Sequence, residues 1–168
     1  MPRNLVRLAV LAAALAGGCA HVVEAPQAVD PLVGAWRSQV RFSSGAFAAV
    51  GDLEFMLAFN AGGTLTESSN YDGAPPVPPA YGAWRRTGAG RYEAVYEFYA
   101  TKAPAGFDAI ARGGGWLPAG HGRLVERITL APDGRSYAST LTYTAFDAHG
   151  QPAAGGGEAT GRATRIGF

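Results

Sequence analysis

From residue 32 to residue 166 the chain alternates apolar and polar positions in short runs, and the runs are separated by Gly-, Pro- and Asn-rich breaks. Over Leu32–Phe42, Trp36, Ser38, Val40 and Phe42 share one face and Arg37, Gln39 and Arg41 the other, the period of a half-buried strand. Asp52–Phe59 puts Leu53, Phe55, Leu57 and Phe59 inward. Asn60-Ala61-Gly62-Gly63 then turns the chain, since Asn and Gly accept positive φ, into a Thr-rich strand over Thr64–Asn70. Tyr81–Thr87 and Arg91–Thr101 form a hairpin about Gly88-Ala89-Gly90, and its second strand lines Tyr92, Ala94, Tyr96, Phe98 and Ala100 on one face. A short strand is expected over Phe107–Arg112, then strands over Gly122–Leu130, Arg135–Phe146 and Glu158–Ile166. The turn Ala131-Pro132-Asp133-Gly134, Asp147-Ala148-His149-Gly150 and the Gly-rich lead Gly155-Gly156-Gly157 separate these last three. Outside the N-terminal leader no segment keeps a helical period over three turns. The pattern predicts an all-β domain over 31–168, an antiparallel up-and-down barrel of about eight to ten strands, closed so that no edge stays exposed.

Two breaks stand out. Tyr71–Pro79 holds four Pro in five residues, which precludes helix and central strand and leaves a stiff loop, either a lid over a barrel mouth or a plain connection. Gly113-Gly114-Gly115-Trp116-Leu117-Pro118 reads as a flexible loop, with Trp116 plugging a barrel end or making an exposed contact.

The first residues belong to no fold. Arg3 and Arg7 precede an uncharged apolar run, Leu8–Ala16, of signal-peptide size and too short for a membrane span. Leu15-Ala16-Gly17-Gly18-Cys19 resembles a bacterial lipobox, which implies a signal peptide over 1–18 and lipidation of Cys19. Plain cleavage after Ala20 is the alternative. Cys19 is the one Cys of the chain, so it forms no internal disulfide, and acylation would give it a role. Residues 19–30 would be a tether. Ala20 stands where inner-membrane lipoproteins carry a retention Asp, and this resemblance favours an outer-membrane lipoprotein facing the periplasm.

Composition narrows the function. Charged residues are 16% and the formal net charge is +1, which gives no electrostatic footprint for nucleic acid. His21, His121 and His149 lie far apart, without carboxylates at ligand spacing, so neither a metal site nor a cofactor is expected. No nucleophile elbow, phosphate loop or dinucleotide fingerprint occurs.

Gly34-Ala35-Trp36 resembles the Gly-x-Trp that opens lipocalin-type (calycin) barrels. In that family the Trp closes one barrel end and an Arg of the last strand packs over it, a place that Arg165, or failing that Arg162, can take. The family's second motif, a Thr-Asp-Tyr turn, has no counterpart at Asn70-Tyr71-Asp72. The chain is also similar to small bacterial lipocalin-like proteins, and the barrel shape to allene oxide cyclase-like enzymes. Gly-Ala-Trp-Arg recurs at residues 82–85, but the residues after the two copies differ, so the repeat does not mark a duplicated half.

One residue breaks the pattern. In Leu124-x-Glu126-x-Ile128-x-Leu130, Glu126 falls on the apolar face. It points inward if the parity holds, where Arg86 would be its partner and Tyr96, Tyr137 and Tyr143 possible donors. A bulge would turn it outward. Glu93 and Glu97 are expected in surface ion pairs. The reading is of an exported, lipid-anchored, membrane-tethered barrel binding a small apolar or amphipathic molecule. Phe55, Leu57, Tyr96, Phe98, Leu141 and Tyr143 would form the apolar wall, with Arg86 and Glu126 supplying polarity. Two alternatives stand beside it: a barrel-cyclase-like enzyme using Glu126 or a Tyr, and a structural envelope protein whose barrel is filled by its own side chains.

Overall fold

In the computed structural model, which describes residues 28–71, 79–104, 106, 108, 111 and 117–167, eight antiparallel strands close into one up-and-down barrel. They are β1 (Gly34–Phe42), β2 (Glu54–Phe59), β3 (Thr64–Ser69), β4 (Ala80–Gly88), β5 (Arg91–Lys102), β6 (Leu117–Leu130), β7 (Ser136–Phe146) and β8 (Pro152–Arg165). Each strand pairs with its sequence neighbours, and β8 returns to β1 through Trp36↔Arg165 to Phe42↔Ala159. The closure satisfies both edges of the sheet, so no strand is left as a template for aggregation.

The inward parities follow the sequence alternation. Trp36, Ser38, Val40 and Phe42 are all buried, as are Leu53, Phe55, Leu57 and Phe59. On β6 the register with β5 runs unbroken from Arg91↔Thr129 to Ala100↔Gly120, so no bulge intervenes and Glu126 faces inward. Arg85, Arg127 and Arg123 make the surface ion pairs expected of Glu93 and Glu97, each reaching across from a neighbouring strand.

Three expectations are corrected. Leu117 and Pro118 belong to β6 and pair with Lys102 and Thr101; they are not loop. Gly155–Gly157 lies inside β8. Of the strand expected over Phe107–Arg112, Asp108 and Ala111 are helical, while Phe107, Ile110 and Arg112 lie outside the described residues, as do Trp116, the leader with Cys19, and 72–78 of the Pro-rich loop.

One end of the barrel is plugged. Trp36 is fully buried, and its indole N–H donates to the Leu32 carbonyl at 2.9 Å. The guanidinium of Arg165 lies 4.3 Å from the Trp36 ring centroid, and Tyr137 packs against the ring at 5.1 Å. Arg165 also donates to the carbonyls of Gly134 (2.9 Å), Val33 (2.8 Å) and Pro31. It thereby ties the end of β8 to the segment before β1. Gly34 makes room: its φ is +136°, and a Cβ there would lie 2.5 Å from an Arg165 nitrogen. Trp84, the second Trp in the repeated tetrapeptide, serves the same end. It packs edge-on against Phe59 at 6.0 Å and against Tyr92 at 5.8 Å, and donates to the Asn60 carbonyl.

Arg162 points outward and is exposed, which makes the pair of arginines a test of the plug. Arg165→Ala should cost at least about 2 kcal/mol, because it removes charge-assisted bonds to three carbonyls and the cation–π contact together. Arg162→Ala should stay within about 0.5 kcal/mol. Urea midpoints at unchanged slope measure both, and equal losses would contradict the assignment.

Candidate functional site

The opposite end of the barrel is hollow. A cavity of about 340 Å³ opens there, walled by Phe42, Phe47, Leu53, Phe55, Phe98, Leu124 and Tyr143, with Glu67, Ser69, Tyr71, Tyr99 and Thr101 bringing polar atoms. Its size falls at the lower end of the few hundred Å³ usual for small-molecule pockets, and its wall is mostly apolar as such pockets are.

Glycines place the aromatic wall. Phe98 of β5 and Tyr143 of β7 stack across β6, centroids 6.0 Å apart and planes 20° apart. Both rings lie on Gly122, where a Cβ would come within 2.4 Å of Phe98 and 2.7 Å of Tyr143. Phe47 reaches the cavity from the loop after β1 and packs on Phe42 (5.5 Å) and Tyr143 (5.8 Å). That loop can approach β8 only because the strand has no side chains there. A Cβ on Gly157 would sit 2.1 Å from the Ser44 carbonyl oxygen, and one on Gly45, at φ +85°, equally close to the Gly156 carbonyl oxygen. Ser43 and Ala46 donate backbone bonds to Glu158 and Gly155 across this contact.

Below the cavity lies a buried polar group that spans the barrel. Glu126 is 1% exposed, and the Tyr96 hydroxyl donates to it at 3.1 Å. Burial pushes its carboxyl up to about 7, against the opposing pull of the Ser139 and Tyr96 hydroxyls. No hydrogen bond of good geometry closes on the hydroxyls of Ser38, Ser139 or Tyr137. Ser139 and Ser38 are nonetheless near enough to bias Glu126 and Tyr137 electrostatically. Glu67, on β3, is a second buried carboxylate at 5% exposure, and it lines the cavity. Ionisation of Tyr96 is opposed by burial first, then by the charges of Glu126 and Glu67, and Tyr137 feels both carboxylates too. The two acids therefore converge on one interior.

Of the eight residues expected to bind a ligand, Phe55, Phe98 and Tyr143 line the cavity. Leu57, Tyr96, Leu141 and Glu126 are buried in the barrel but do not reach the cavity surface. The expected pair of Arg86 with Glu126 does not form. Arg86 keeps the inward parity of Trp84 but stands at the rim of the plugged end. Its guanidinium stays half-exposed, bonds the Tyr92 hydroxyl at 3.2 Å and faces Asp30 at 3.5 Å. Reaching Glu126 would bury a guanidinium that water and Asp30 already satisfy. Trp84, not Arg86, stands in the row of Ala94 and Glu126.

Two cavity residues, Glu67 and Phe47, are not among those the sequence pattern points to. Glu67 shares parity with Leu65, but a single apolar residue on that Thr- and Ser-rich strand leaves the inward face unmarked. Phe47 sits between the first two alternating runs, in a segment the alternation leaves unassigned. Among the described residues, no three His, Cys, Asp or Glu converge on one point. No family model, curated protein or solved structure matches this chain.

Glu126 makes stability depend on pH in a definite direction. Its folded-state pKa lies above its ordinary 4.5, so the folded protein holds a proton that the unfolded chain releases. That stability is complete below about pH 4.5 and is lost as pH rises to about 7, by roughly 3 kcal/mol at 1.36 kcal/mol per unit. Glu126→Gln should flatten this slope in urea titrations run between those pH values. An unchanged slope would place the proton on another group.

Proposed function

We propose that this protein is a lipocalin-like barrel of the bacterial cell envelope, exported and anchored through an acylated Cys19, and that it holds one small apolar or amphipathic molecule in its open end. The observation that carries the binding reading is the cavity of about 340 Å³ over the Phe98–Tyr143 stack. A barrel evolved only as a filled strut has no need of a hollow half, since eight strands can pack their own side chains throughout. The likeness to lipocalins rests on the closed eight-strand meander and on Trp36 lying under Arg165. The enzymatic reading has less support, because Glu126 lies behind the cavity wall and touches no point a substrate would occupy.

Prodan, a neutral naphthalene probe without hydrogen-bond donors, should gain fluorescence with a blue shift on the purified domain. Ala100→Trp, which fills the cavity from β5, should remove the signal while leaving the far-ultraviolet circular dichroism unchanged. Mass spectrometry of molecules carried through purification should find apolar compounds on the native protein and fewer on the variant. A native protein that carries nothing and does not shift prodan is a filled barrel. The anchor is tested separately: in a bacterial host fed labelled palmitate, the native chain should take up label and Cys19→Ala should not. Secretion of unlabelled native chain would indicate plain signal cleavage.

A further inference from the structure

The aromatic wall and one hydroxyl narrow what the cavity takes, and the step rests on the binding reading above. The wall is built of rings in two attitudes. Phe98 and Tyr143 lie nearly parallel, planes 20° apart, while Phe42 and Phe47 meet Tyr143 steeply, at 84° and 64°. With Phe55 these rings line a hollow of about 340 Å³. An apolar cavity of about 150 Å³ admits one benzene ring, so this hollow has room for roughly two fused rings. A flat ring system gains from such a wall what an alkyl chain cannot. Edge and face contacts between rings add to the burial of area. A rigid ligand also gives up no torsional freedom on entry, as a flexible chain must.

Several polar groups at the cavity are already engaged. The Tyr71 hydroxyl donates to Asp52 at 2.7 Å. Glu67 and Ser69 each interact with another group, and Tyr99 is exposed to water. The Thr101 hydroxyl differs. It is buried, it belongs to a residue of the cavity lining, and no hydrogen bond closes on it among the described residues. Thr101 stands directly after the shift in β5–β6 register, and such irregularities re-aim side chains. A buried hydroxyl without a partner costs stability unless something else supplies one. We infer that the cavity takes a compact two-ring aromatic molecule carrying a carbonyl, seated against the ring wall with its oxygen accepting from the Thr101 hydroxyl, in preference to an alkyl chain of the same carbon number.

The test is displacement of prodan from the full-length processed protein by three compounds of equal carbon number, each below its solubility limit. They are 2-acetonaphthone, 2-ethylnaphthalene, which lacks the carbonyl, and 2-dodecanone, which lacks the rings. 2-Acetonaphthone should displace the probe at a concentration at least about fivefold below 2-dodecanone. Thr101→Val, isosteric but without the hydroxyl, should weaken 2-acetonaphthone about tenfold and leave 2-ethylnaphthalene within about twofold, with prodan affinity measured afresh on each protein. Thr101→Ser, which keeps the hydroxyl, should hold 2-acetonaphthone close to its native affinity. Dodecanone displacing as well as acetonaphthone, with prodan bound, would overturn the ring preference and leave the cavity reading intact. Equal changes for the two naphthalenes in Thr101→Val would overturn the contact with Thr101. Failure of prodan and of all three compounds to bind would overturn both this inference and the binding reading. The comparison of rings with chain is made on the native protein, so it decides the ligand class even if the variants fold poorly.

Discussion

The contact that the rest of the barrel depends on is the guanidinium of Arg165 lying on Trp36. It joins the last strand to the first and reaches back to the carbonyls of Val33 and Pro31, before β1 begins. Strand pairing alone closes a sheet but does not fix which end is sealed. A planar cation does so by capping the indole face and satisfying backbone acceptors that a tapering end would otherwise leave open. Gly34 is the backbone counterpart of this contact, because only a residue without Cβ leaves the space that Arg165 fills. Trp36, Leu32, Trp84, Tyr92 and Tyr137 fill that end with their own side chains. The other end remains hollow, and the structural asymmetry of the molecule is a consequence.

Small residues shape the hollow end as large ones shape the sealed end. Gly122 lets Phe98 and Tyr143 lie flat across a strand, and the glycines of β8 let residues 43–47 fold tightly over it. A run that reads as a Gly-rich lead into the last strand is here a close-approach surface within it. The energetic logic is that of glycine in sheets generally: the strand gives up packing of its own so that another group can come near.

This explains how far the sequence could be read. The barrel, its closure and the inward face of five strands follow from the alternation itself, because a strand with one buried face must repeat every two residues. The plug was legible through the resemblance of Gly34-Ala35-Trp36 to the lipocalin Gly-x-Trp, which implies an Arg of the last strand, Arg165 or failing that Arg162, over the Trp. What escaped was coded by absence. The starts of β6 and β8, at Leu117 and Pro152, carry Gly and Pro where strands usually carry branched residues, and tertiary pairing overrides that composition. Glu67 escaped because its face holds little apolar signal. Arg86 misled for another reason: parity gives the face of a strand but not the depth along it, and a long side chain at the rim turns to water.

The two interior carboxylates are the feature that stability alone accounts for least. Burying Glu126 holds its carboxyl at about 7, so near neutrality the fold carries an acid it would be more stable without. Hydrocarbon of equal volume would serve a structural barrel better, since replacing buried ionisable groups by well-packed apolar ones is often neutral or stabilising. Glu126 is moreover held by Tyr96 and approached by Ser139, an arrangement from three different strands. Such residues oppose packing, yet their neighbours position them. Here these residues lie behind the wall of the apolar hollow that opens into the barrel, lined by aromatic rings and by Glu67 of β3. Cavity and buried charge thus lie side by side in one barrel interior, and neither is what close packing of a small barrel would produce.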